Sequence, residues 1–293
     1  MATCTYCFGE LDKARAQCPH CYMLNRVDGS GANTIGKTVR LSRVKNTVSD
    51  QRIATGPWDS VLGGGLVITS VVLIGAEPGS GKSTIALQIG HAIGRELTRD
   101  VLYIAAEQDV GEVREMGDRL GLSIRGDDSD DSPIVLLPCL GDFEGLAQFD
   151  HILDEMKPAA VVLDSLPGLV GADHAVAVLL AKTLKKYASK IRAPFLIIDH
   201  VTKGDDFAGL KALQHEVDVL LTMRVLTDGT CNCGHESHEH KHGLMECEEC
   251  GEGECNGYSG PRVLACEQKN RFGPVPAAIT LDMTARGLRE QIL

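Results

Sequence analysis

The sequence predicts an α/β fold on a mainly parallel central sheet, and two patterns carry that expectation. Short apolar runs recur at 71–75 (VVLIG), 101–106 (VLYIAA), 134–138 (IVLLP), 160–164 (AVVLD) and 194–199 (PFLIID). Runs without polar alternation mark strands buried on both faces, as in parallel sheets. The second pattern lies between the runs. Ile85, Ile89 and Ile93 repeat every four residues after Lys82, and Leu179, Leu180, Leu184 and Tyr187 mark one face of the segment before Pro194. These are helices that cover the sheet. Beyond Val217 the pattern changes. Segments 217–225, 262–268 and 277–283 read as strands with no helix between them, so they extend the sheet as hairpins.

The 293 residues give room for one to three domains. A composition of 43% hydrophobic and 24% charged residues fills a core and excludes a wholly disordered chain. Every apolar run is broken by Gly, Pro or a charge before the roughly 18 residues of a membrane span, so no membrane partner is expected. The opening MATCTYCFGE lacks the basic and apolar regions of a secretory signal, and a cytoplasmic protein is expected. Three parts follow from composition: a cysteine module at 1–25, a polar linker at 26–50 and a core at 51–293. An acidic, Cys- and His-rich insertion at 227–260 loops out of the core's last hairpins. The net charge of −11 is concentrated. Asp127, Asp128, Asp130 and Asp131 supply −4, and eight acids against Lys241 in the insertion supply −7. The remainder is near neutral, with Lys37, Arg40, Arg43 and Lys45 clustered in the linker. The acidic total therefore does not exclude nucleic acid.

Nine of the eleven cysteines fall in two clusters, whereas Cys139 and Cys266 stand beside apolar neighbours and read as small buried hydrophobes. Cys4 and Cys7, then Cys18 and Cys21, are CxxC pairs ten residues apart. Four thiolates at that spacing suit one structural Zn2+, and so short a module has little core without it. In the insertion, the Cys231–Cys233 pair precedes the Cys247–Cys250 pair by thirteen residues. These four are candidates for a second Zn2+, with His235, His238, His240, His242 and Cys255 competing as ligands. The other reading is an acidic loop whose Cys and His are incidental. Metal is favoured by the excursion's length and by its lack of apolar surface for a core.

The strongest chemical signal is AEPGSGKS at 76–83, between a predicted strand and a predicted helix. It is a Walker A loop with Ala76 in place of the first glycine. Glu77, Pro78, Gly79, Ser80 and Gly81 form the turn, whose backbone N–H groups curl round phosphates at a helix N-terminus. Lys82 reaches the terminal phosphates, and the Ser83 hydroxyl suits Mg2+. Asp164 ends the run 160–164, where a second metal-holding carboxylate belongs. Glu107 follows the run 101–106 and is placed to polarise a water. Each acid alone also reads as a cap or turn residue; both ending strands downstream of this loop read as a site.

TGPWDSVLGGGL at 55–66, IGAEPGSGKST at 74–84, VLYIAAEQ at 101–108 and VVLDS at 161–165 resemble the bacterial RadA (Sms) branch of the RecA-like ATPases. HVTKGDDFAGLKALQHEVD at 200–218, KNRFG at 269–273 and the N-terminal CxxC pairs extend the resemblance over nearly the whole chain. It implies a RecA-like P-loop NTPase core that takes ATP and Mg2+. Lys82, Ser83 and Thr84 would hold phosphates and metal, Asp164 would lie on the metal's shell, and Glu107 would be the catalytic carboxylate. His200 would couple the γ-phosphate to a DNA-facing loop with Lys203, and Lys211 is a further basic candidate for DNA. Lys269 and Arg271 would act on a neighbouring subunit's nucleotide, which requires a ring, and the family forms homohexamers. The expected function is an ATP-dependent DNA repair and recombination protein, a DNA-stimulated ATPase of helicase or branch-migration type on single-stranded or branched DNA. The alternative is an ATP-switched module that recruits a protein partner through the insertion. Typical members carry a C-terminal Lon-protease-like domain, which this chain, ending twenty residues after KNRFG, is expected to lack.

Overall fold

The computed structural model describes residues 2–3, 10–11, 51–77, 79–122, 132–138, 146–170, 174–200, 211–226, 261–284 and 286–291. Both proposed zinc clusters and Lys203 lie outside these residues, as do Pro78 and Cys139. In chain order the strands and helices are β1 (Ala2–Thr3), β2 (Glu10–Leu11), β3 (Arg52–Ile53), β4 (Leu66–Val67), β5 (Val71–Ala76), α1 (Lys82–Leu97) and β6 (Val101–Ala105). There follow α2 (Val110–Leu120), β7 (Ile134–Pro138), α3 (Leu146–Met156), β8 (Ala160–Asp164), α4 (Leu166–Val170), α5 (His174–Ile191) and β9 (Phe195–His200). The chain continues through α6 (Lys211–Glu216), β10 (Val219–Val225), β11 (Arg262–Asn270), β12 (Ile279–Thr284) and β13 (Gly287–Glu290).

Among the described residues, nine strands form one sheet in the order β13-β12-β11-β10-β5-β9-β8-β6-β7. From β7 to β10 every pairing is parallel, and β11, β12 and β13 continue it antiparallel. The apolar runs give this sheet two buried faces. Val72, Ile74, Tyr103, Val162, Leu196 and Ile198 meet Ile85, Ile89 and Ile93 of α1 on one face. Val71, Leu73, Leu102, Val161, Leu163, Phe195 and Ile197 meet Leu180, Leu184 and Tyr187 of α5, and Phe149 and Leu153 of α3, on the other. The alternation of adjacent strand residues between faces is the two-residue pleat.

Some expected boundaries move. The strand after the insertion runs to Asn270, so it takes in the first two residues of KNRFG, and β6 stops at Ala105, leaving Glu107 two residues beyond it. A ninth sheet strand, β13, was not among the expected ones. Run 134–138 is the sheet's edge strand and is half-buried rather than fully buried, with Val135 exposed. Cys266 is buried, as its apolar neighbours suggest, and its thiol donates to the Lys269 carbonyl at 3.5 Å. Among the described residues no helix is long and apolar enough to cross a membrane.

Candidate nucleotide site at the C-terminal edge of the sheet

The ends of β5, β8 and β9 and the start of α1 meet at one edge of the sheet. Ala76, the last residue of β5, pairs with His200 of β9 on one side and Met223 of β10 on the other. From Ala76 the chain turns sharply. Ser80 donates to the Glu77 carbonyl through its amide at 3.3 Å and its hydroxyl at 2.7 Å. Gly81, the N-cap of α1, has φ +103°, and a Cβ there would lie 2.7 Å from Met283 Cε. A side chain is therefore disfavoured by the backbone conformation. The unpaired N–H groups of the first α1 turn suit an anion.

Lys82 is 6% exposed, and its Nζ donates to the carbonyls of Ala76 at 3.0 Å and Glu77 at 2.8 Å. Burial lowers its pKa, opposed by the nearby carboxylates of Asp164, Glu107, Asp199 and Glu77. The ammonium is folded over the mouth of the loop, within the field of acids that a bound metal would neutralise.

Asp164 closes β8 and is buried. Its Oδ2 accepts from the Tyr103 hydroxyl. Burial raises the Asp164 pKa; the Tyr103 bond and the neighbouring Ser83 hydroxyl pull it down, Glu107 pushes it up, and Lys82 pulls it down. The peptide from Asp164 to Ser165 is cis. Ser165 donates to Glu107 Oε1, and His200 Nε2 lies 3.1 Å from Oε2 and 3.3 Å from Oε1. Glu107 is thus held from two strands. A third contact comes from α4, where a Cβ on Gly168 would stand 2.7 Å from Glu107 Cγ and 2.9 Å from the Ala106 carbonyl. Just past Glu107, Asp109 starts α2 with a capping box: its Oδ1 accepts from Gly111 N at 2.7 Å, and Glu112 reaches back to Asp109 N at 3.2 Å. That cap ends the excursion of Glu107 from β6.

Lys82, Ser83, Asp164, Glu107 and His200 lie together at this edge. Thr84 stands beside them in α1, but its side chain points elsewhere, with Oγ1 3.8 Å from Met116 Sδ of α2. Lys269 and Arg271 are not with this group. Val219 pairs with both Val72 and Asn270, whereas Ala76 pairs with Met223, so KNRFG lies at the opposite edge of the sheet. The four residue steps from Val72 to Ala76 alone rise about 13 Å. There Arg271 bonds Asp218 Oδ1 at 3.3 Å and the His215 carbonyl at 2.8 Å, and Lys269 donates to the Gln214 carbonyl. Buried Asp218 also holds Lys185 and accepts from Val71 N at 3.1 Å. Lys211 opens α6.

Tyr103, Ser165, Gly168 and Asp218 were missed as site residues. A lone hydroxyl-bearing ring in VLYIA and an acid in HEVD were the available signals. A cavity of about 1360 Å³ lies beside α1, lined in part by Gln88, Arg114, Arg119, Arg286 and Arg289. Among the described residues, 76, 77 and 79–84 do not line it. Among the described residues no group of three or more His, Cys, Asp or Glu side chains is gathered as for a metal ion.

A mainly parallel sheet with a glycine turn between β5 and α1, a lysine folded into that turn and a buried carboxylate closing β8 make an α/β protein consistent with a RecA-like core. No family model matches the chain. It is 29% identical to the DNA repair protein RadA of Haemophilus influenzae, over 98% of this chain and 58% of that protein. The Bacillus subtilis RadA is 31% identical over 74% of this chain and 50% of its own length, and the Escherichia coli RadA 28% identical over 98% and 58%. The chain is a RadA-like protein. It spans little more than half the length of the relatives it matches.

Proposed function

We propose that this protein is a ring-forming ATPase, a homohexamer, that couples Mg2+-dependent ATP hydrolysis to single-stranded or branched DNA during repair or recombination. The observation that carries the reading is the separation of two halves of a catalytic set. Phosphate, metal and water groups (Lys82, Ser83, Asp164 and Glu107) lie at one sheet edge, while the cations Lys269 and Arg271 lie at the other. Within one copy they do not meet. Between copies packed edge to edge, Arg271 of one faces the phosphate loop of the next, and its charge stabilises the transition state there. The bound metal would neutralise phosphate charge, held by Ser83 and, through its hydration shell, Asp164. Glu107, aligned by Ser165 and His200, would orient the attacking water.

DNA as the partner is supported by similarity to relatives named DNA repair proteins. Lys203 and Lys211 follow His200 in the chain, so a DNA-facing loop there would report on Glu107 through the His200 contact. Zinc in the two cysteine clusters belongs to the same proposal, on their spacing alone.

The test is ATP hydrolysis with and without single-stranded DNA at fixed salt. Marked stimulation that fades as salt rises is expected, because backbone contacts release counterions. Steady hydrolysis indifferent to DNA would favour the nucleotide-switched module that recruits a protein partner through 227–260.

A further inference from the structure

Tyr103 is the middle residue of β6, whose other members are Val, Leu, Ile and Ala, and it is fully buried. Its ring fills the core shared with α1, a task phenylalanine performs as well. The hydroxyl needs a separate reason, since a buried hydroxyl costs free energy unless it is bonded. It donates to Asp164 Oδ2. Register makes the bond possible. Tyr103 pairs with Val162 and Ala105 with Asp164, so Asp164 is the diagonal neighbour two residues further along the same face. The bond thus ties β6 to β8 by a polar contact within an otherwise apolar layer.

We propose that Tyr103 is a positioning residue for the metal of the bound nucleotide: its hydroxyl fixes Asp164 through Oδ2, leaving Oδ1 and the Ser83 hydroxyl to the Mg2+ shell. The inference rests on the nucleotide reading above and adds a residue to it. Without the bond, Oδ2 loses the donor that holds it, and a metal must first order the carboxylate. Outer-shell partners of this kind change metal affinity by about 10- to 100-fold when removed.

The experiment titrates Mg2+ against the affinity of a fluorescent ATP analogue, with wild type, Tyr103→Phe, Asp164→Asn and the double variant. In Tyr103→Phe the half-saturating Mg2+ concentration is expected to rise about tenfold, with affinity in excess EDTA unchanged. In the Asp164→Asn background the same substitution is expected to add nothing, because the two act through one bond. An unmoved Mg2+ midpoint in Tyr103→Phe overturns the proposal, as does equal weakening with and without Mg2+, which is the mark of a packing role. Wild type that binds the analogue no better with Mg2+ than without would overturn the nucleotide reading itself, and this inference with it.

Discussion

Lys82→Ala is expected to reduce ATP hydrolysis about 100- to 1,000-fold, the effect of removing one preorganised charge aimed at the transition state. The ammonium is already at the loop mouth, bonded to the carbonyls of Ala76 and Glu77, so it reaches phosphate with little reorganisation. It also faces Asp164, Glu107 and Asp199, and without it these acids repel the incoming phosphates. The fold should survive, since the Lys82 Nζ ties loop carbonyls rather than the apolar layer beneath α1. Hydrolysis measured beside a circular dichroism melt checks both halves. An unchanged rate would remove the loop from the chemistry.

Glu107→Gln is expected to slow turnover about 100- to 10,000-fold while leaving ATP affinity near wild type. The amide keeps the size of the carboxylate and an oxygen for Ser165 and His200, and loses the negative charge that draws a proton from water. Binding without turnover is the signature, read by nucleotide affinity and steady-state rate on the same preparation. Hydrolysis at the wild-type rate would show that another group orients the water, and Glu107 would then be a structural partner of Ser165 and His200.

Much of the fold was legible because its signals are local. Continuous apolar runs reported the strands, and the four-residue spacing of Ile85, Ile89 and Ile93 reported α1. The phosphate loop was legible for the same reason: its residues are consecutive, and their backbone conformations require glycine at 79 and 81. What was hidden depends on register and order in the sheet. Strand β7 reads like its neighbours, yet its half-exposure follows from its edge position, which an apolar run does not encode. Strand β13 (GLRE) is short and half charged, so it carries no pattern at all; its pairing with β12 makes it a strand, and Gln88 of α1 holds it by donating to the Leu288 carbonyl and accepting from the Leu288 amide. Tyr103 gains a role only when β6 pairs with β8, and Gly168 only when α4 packs on Glu107. The opposite placing of KNRFG and the phosphate loop needs a parallel β10 followed by an antiparallel β11, a tertiary fact.

That placing makes the composite site the central claim, and mixing two inactive variants tests it most directly. Arg271→Ala alone should lose most activity, since trans-acting arginines contribute about a thousandfold or more. Its own subunit should still bind nucleotide, and Asp218 keeps its contact with Lys185. Mixed with Lys82→Ala protein, the proposed rings would contain some interfaces that pair an intact phosphate loop with an intact Arg271. The decisive measurement is the ATPase rate of that mixture against each variant alone, with mixed rings verified by tagged pull-down. Recovery of activity above both parents is the predicted result; no recovery in rings that demonstrably contain both variants would contradict it.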